Sequence, residues 1–148
     1  MVRFKNRYLL IELVFGPRSS SSPSINPISE HIFTAMLRES IQANFGDVGA
    51  GQAGSNLNVK YFSPTTSLLI LRCSRNCLKT VRAGLLFITH INKHPVICQT
   101  LHCSGTIRKT QEAAIEYDRK VVLKNSIISS IYCTSNNDRH KAIMNLEP

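Results

Sequence analysis

Apolar positions along the chain switch between a period of two and a helical period. Residues 2–15 are dense in aromatic and β-favouring apolar side chains and read as a long strand. Residues 16–26, with a serine run and two prolines, read as a flexible loop. Asn26 then offers a helix cap, with Pro27 at the first helical position. Ile28, Ile32 and Met36, beside Phe33, Leu37, Ile41 and Phe45, make a broad apolar stripe that Gly46 ends. Residues 46–55 are glycine-rich and predict a turn region. Two strands follow, 56–62 and 66–73, joined by Ser63, Pro64 and Thr65. Ser74 can cap a second helix from Arg75 to about Ile91, with Leu78, Val81, Leu85 and Ile88 on one face. Pro95 lies beyond its end, and 96–103 is a further strand. Gly105 and Thr106 open a third helix that runs past Leu123.

The predicted order is βαββαβ followed by a helix, which matches the split-βαβ, ferredoxin-like plan of an α+β protein. The expected layout is an antiparallel sheet with two helices on one side and an additional C-terminal helix. One domain is expected over 1–132, with 133–148 as a flexible polar tail. Strand 66–73 carries apolar residues on both parities. That predicts a covered second sheet face, and so a protein partner.

Charge changes this picture. Against 9 acidic residues stand 18 Lys and Arg, a net charge of +9. No carboxylate occurs between Asp47 and Glu112, while Lys60, Arg72, Arg75, Lys79, Arg82, Lys93, Arg108 and Lys109 all do. Such a run leaves cations without internal partners and points to a polyanion, because each cation placed on a phosphate releases counterions. Five cysteines, odd in number and set among apolar residues, suit a reduced compartment better than a disulfide framework. No apolar run reaches the length of a membrane span. Glu12 interrupts the short apolar stretch that would serve as a secretory signal. A mitochondrial presequence fits the basic, Ser-rich composition of the first 25 residues but conflicts with their strand pattern.

Three motifs carry less than their spelling suggests. Gly49, Gly51 and Gly54 match the dinucleotide fingerprint, but they follow a helix and lead into a strand, the reverse of what phosphate binding needs. Cys73, Cys77, His90 and His94 have zinc-finger spacing, yet Cys77 falls inside the predicted second helix, not in a hairpin. His102 and Cys103 are adjacent on a strand and point to opposite faces, so they cannot form a base–nucleophile pair. Glu112 and Glu116 share a helix face with Arg108, Lys120 and Lys124, an i,i+4 ladder and not a metal site. Neither a catalytic nor a metal-binding residue is assigned.

Two features favour RNA. Arg3, Lys5 and Arg7 alternate, and an extended strand would align them along a phosphate backbone. Ser104, Gly105, Thr106, Ile107, Arg108 and Lys109 form a strand-to-helix turn with two cations where the helix dipole disfavours them. A bound phosphate would resolve that conflict, as would pairing of Arg108 with Glu112. With aromatics only 7% of the chain and an aliphatic central strand, contact to the backbone of folded RNA fits better than base stacking.

Met1 to Leu10, together with Leu101-His102-Cys103-Ser104-Gly105-Thr106-Ile107-Arg108, resembles the Pop-five family, a small protein subunit of ribonuclease P and ribonuclease MRP. Val59-Lys60-Tyr61, Leu69-Ile70-Leu71-Arg72-Cys73 and Leu86-Phe87-Ile88-Thr89 add to the likeness, which spans about 1–119. The 16–26 loop and the lack of an acidic tail depart from it. The resemblance implies a ferredoxin-like fold and residence in the nucleus and nucleolus. The host would be a ribonucleoprotein whose RNA removes 5′ leaders from precursor tRNA or processes ribosomal RNA. It implies as partners the ribonuclease P or MRP RNA, a TIM-barrel protein subunit and the other subunits of the complex. Precursor tRNA would be reached indirectly, and no membrane is involved. No cofactor is expected on the protein, with Mg²⁺ held by the partner RNA. The residues expected to touch or organise RNA are Arg3, Lys5, Arg7, Lys60, Arg72, Gly105, Thr106, Arg108 and Lys109. The rival readings are a protein-interaction scaffold with a basic surface and a metal-binding regulator.

Overall fold

In the computed structural model, residues 5–16, 29–54, 56–92 and 94–125 are described, the last four of them as backbone. Arg3, the 17–28 part of the first loop with Asn26 and Pro27, Cys133 and the 133–148 tail lie outside these residues. The elements run β1 (Asn6–Phe15), α1 (Glu30–Gly54), β2 (Asn58–Ser63), β3 (Leu68–Ser74), α2 (Leu78–Leu86), β4 (His90–Ile91), β5 (His94–Ser104) and α3 (Ile107–Asn125). The sheet order is β2-β3-β1-β5-β4. All of its pairings are antiparallel. With the two-residue β4 set aside, this is the strand order of the split-βαβ plan, so the ferredoxin-like expectation holds.

Strand parity sorts the core. Leu9, Ile11 and Leu13 of β1 join Leu69, Leu71 and Cys73 of β3 on the face that α1 and α2 cover. Phe33, Leu37 and Ile41 of α1 and Val81 and Leu85 of α2 complete that layer. The opposite parity, Tyr8, Leu10, Leu68 and Ile70, packs under Ile107 and Ala114 of α3. Removing any of the fully buried leucines here is the kind of change that costs 2–5 kcal/mol, roughly, through lost burial and a residual cavity. Both parities of β3 are therefore covered by the chain itself, one by α1 and α2 and the other by α3. This corrects the inference of a protein partner drawn from that pattern.

Several element boundaries also differ. The cap of α1 is Ser29, whose Oγ accepts from the Ile32 N–H at 3.3 Å, with Glu30 in the first turn. Within the glycine-rich segment, residues 46–54 are not an open turn. Gly46 breaks the helix with φ 66°, a left-handed conformation open to glycine, and the chain then resumes helical geometry as far as Gly54. A Cβ on Gly49 would sit 2.5 Å from that of Phe45, so only glycine fits the fold-back. That return brings Ala53 into the core and the Gln52 carbonyl to Cys77 Sγ, 3.1 Å away. Helix α2 is also shorter than its periodicity predicts. Cys77 stands at its N-cap, Phe87 ends it, and His90 belongs to a hairpin with His94 instead of a helix end.

Candidate nucleic-acid interface

Antiparallel pairing carries separate stretches of sequence to one end of the sheet. β1 begins there, while β3 and β5 finish there: Asn6 pairs with Ser74, and Tyr8 with Ser104. Beyond the ladder, the Arg75 N–H donates to the Lys5 carbonyl at 2.8 Å. Helices α2 and α3 both start at this end, because each follows directly on one of those strands. Lys5, Arg7, Arg72, Arg75, Lys79, Arg108 and Lys109 are thereby gathered from β1, β3, α2, α3 and their connections.

Arg7 and Gly105 meet directly. A Cβ built on Gly105 would stand 3.1 Å from Arg7 Nη1, so the bare glycine backbone leaves room for the guanidinium. Arg7 Nη1 also donates to the Asn6 carbonyl at 3.1 Å. On the neighbouring strand Asn6 holds Arg72. With the amide oxygen turned toward it, that oxygen accepts from Nη2 at 3.0 Å and from Nε at 3.3 Å. Ser104 is buried and its Oγ accepts from the Thr106 N–H at 3.3 Å, which shapes the turn into α3. Thr110 Oγ1 donates to the Thr106 carbonyl at 3.3 Å.

The first turn of α3 has no acidic residue. Arg108 Nε lies 3.4 Å from Glu112 Oε1, so the sequence alternative of local pairing is realised. Both side chains are more than half exposed, and a pair of that kind contributes about 0–1 kcal/mol. Arg108 therefore stays available to a stronger anion. Lys120 and Glu116, 2.7 Å apart, form the second rung of the ladder. Of the predicted residues, Lys60 stands apart at the β2 bulge, on a strand not adjacent to β1. Arg75 and Lys79 were missed. The signal was their place just after a strand antiparallel to β1, which puts them beside its first residues.

Two buried thiols of the sheet, Cys73 and Cys98, hold their protons. Burial, followed by the neighbouring Cys103 and Cys77, raises the Cys73 pKa to about 12, and the Arg7 charge only partly opposes this. Burial alone lifts Cys98 to about 11. Neither is a thiolate at neutral pH, so neither is a nucleophile or a ready metal ligand. His102 pairs with Leu10 and Cys103 with Leu9, on opposite faces as the alternation predicts. Among the described residues, no three His, Cys, Asp or Glu side chains come together to hold a metal ion, and the zinc-finger spacing is not assembled. No helix among them is long and apolar enough to cross a membrane.

The chain is thus an α+β domain of ferredoxin-like topology with a cationic end to its sheet. Residues 7–115 match the Rpp14/Pop5 family, and the chain belongs to it. It is 39% identical over 133 residues to the ribonuclease P/MRP protein subunit POP5 of Schizosaccharomyces pombe, a match covering 86% of this chain and 96% of that one. The subunit of the same name in Homo sapiens is 34% identical, covering 83% and 76%. The Saccharomyces cerevisiae subunit is 30% identical, covering 82% and 80%. A chain in the cryo-EM structure of yeast ribonuclease MRP shares the fold, with a TM-score of 0.55 at 9% identity, covering 81% of this chain and 95% of that one.

Proposed function

We propose that this protein is a noncatalytic, RNA-binding subunit of ribonuclease P and ribonuclease MRP. Its relatives carry that subunit's name. The observation that carries RNA binding is the sheet end, where seven cations converge from separate elements. Of these cations Arg108 pairs with Glu112, and that pair is exposed. The mechanism is charge neutralisation of a folded RNA backbone, which lets the RNA hold its active shape. The RNA subunit performs the cleavage that removes 5′ leaders from precursor tRNA, or processes ribosomal RNA, with Mg²⁺ held by its phosphates. The site of action is the nucleus and nucleolus.

A protein partner is supported by a different surface. Phe45, Val48, Leu86 and Phe87 are exposed around the break in α1 and the end of α2, and the Phe45 and Phe87 rings lie 6.5 Å apart. Clustered exposed apolar side chains of this kind mark interaction sites. This surface would receive the TIM-barrel subunit of the complex.

The reading is tested by tagging the protein in cells, purifying it gently and sequencing the bound RNA. Enrichment of ribonuclease P or MRP RNA, with cleavage of precursor tRNA in the eluate, is expected. Recovery of protein partners without such RNA would place the basic-scaffold reading first.

A further inference from the structure

A cavity of about 630 Å³ opens between the first turns of α1 and the β2 side of the sheet. His31, Thr34 and Arg38 line it from the helix, Asn56 and Asn58 from the approach to β2, and Arg72 from β3. No carboxylate is among the described residues that line it. Small-molecule pockets are mostly apolar, with a few placed polar groups, and this one has the opposite balance. Arg38 and Arg72, from separate elements, are both among its lining residues, and each guanidinium is a rigid fork suited to phosphate. Arg72 is fixed in place by Asn6, which takes two of its N–H groups and leaves the rest of its donors for a ligand. Asn56 and Asn58 add amides that can both donate and accept, as recognition of a ribose hydroxyl or a base edge requires.

We infer that this groove is a second RNA contact, which takes a phosphodiester of a single-stranded segment. Arg38 and Arg72 hold the phosphate, and Asn56 and Asn58 meet the adjoining nucleotide. RNA is favoured over an acidic peptide by continuity. Arg72 belongs both to the groove lining and to the cationic sheet end, so one RNA can reach both. The inference rests on the RNA-binding reading above and adds a site that the charge pattern of the sequence did not reveal.

The test measures binding of the full chain to ribonuclease P RNA across a salt series, for four variants. Arg38→Gln should lower affinity five- to tenfold, roughly, and reduce the salt slope by about one. Ala35→Glu places a negative charge on the exposed lining and should lose at least as much, whereas Ala35→Lys should bind as tightly as the unmodified chain or more so. This charge pair separates electrostatics from damage to the helix. Lys5→Gln with Arg75→Gln is the control for the sheet end. If it weakens binding while the three groove variants match the unmodified chain, the groove is overturned and the RNA-binding reading stands. If all four bind alike, both are overturned.

Discussion

The two ends of this molecule share one sheet yet differ in almost everything they expose. At one end, β1 begins and β3 and β5 finish, and the side chains gathered there are Lys5, Arg7, Arg72, Arg75, Lys79, Arg108 and Lys109. At the other, β1 finishes, β5 begins and α2 stops. Val14 and Ile97 are cross-strand partners left exposed there, with Leu86, Phe87, Phe45 and Val48 beside the helix ends. A core as continuous as this one does not require either arrangement. The polarity teaches that, under the proposed function, the fold would separate two tasks, with phosphates met at one end and apolar protein surface at the other.

The largest effect is expected from removing the cations as a set. Lys5→Gln, Arg7→Gln and Arg75→Gln combined should weaken RNA binding by on the order of a hundredfold and lower the salt slope by about three, while leaving subunit association unchanged. Equilibrium binding at several salt concentrations reads both numbers. Loss of subunit association in the same variant would show that the ends are not independent. Next in size is Phe87→Asp. A central apolar anchor is worth roughly 2 kcal/mol, so capture of the TIM-barrel subunit should fall about thirtyfold with RNA binding intact.

Smaller effects sharpen the picture of the cationic end. Gly105→Ala puts a methyl group 3.1 Å from Arg7 Nη1. The guanidinium must shift, and a loss of RNA affinity of about 0.5–1 kcal/mol is expected. Combining it with Arg7→Gln should cost nothing extra, because both act through one contact.

The smallest effect concerns alkaline pH. Burial, then the hydrogen bond its hydroxyl donates to Glu12 at 2.7 Å, pushes the Tyr117 phenol up to about 12. Cys73 rises to about 12 and Cys98 to about 11 through burial. A raised pKa means that the folded state holds its proton more tightly than the unfolded chain does. The contribution is complete below the ordinary values of 9.0 and 10.0 and is lost as pH climbs through 11 to 12. The melting temperature should therefore fall over that range, and less steeply in Tyr117→Phe.

Much of this was legible in the sequence. Alternation along β1 and β3 and the helical stripes at Phe33, Leu37 and Ile41 fix which faces are buried, and so lead to the fold. What escaped reading depends on three-dimensional return. The Gly46 break looks like a helix end locally. The helical segment after it is stabilised by Ala53 entering the core and by the Gln52 carbonyl at Cys77, neither visible as periodicity. The second apolar parity of β3 suggested an external partner because nothing local says that α3 folds back over it. For the interface, Arg7 was proposed from alternation, Gly105, Arg108 and Lys109 from turn position, and Arg72 from the carboxylate-free run. Arg75 was visible only as part of a charge run, and Arg38 only once α1 met β2 across a cavity.

Crosslinking the full chain to ribonuclease P RNA, with the crosslinked peptides mapped by mass spectrometry, reaches the central claim most directly. Crosslinks should concentrate on peptides containing Lys5, Arg75 and Lys109, with none at Leu86 or Phe87. Crosslinks centred on Leu86 and Phe87, with the cationic end silent, would contradict the assignment of RNA to that end of the sheet.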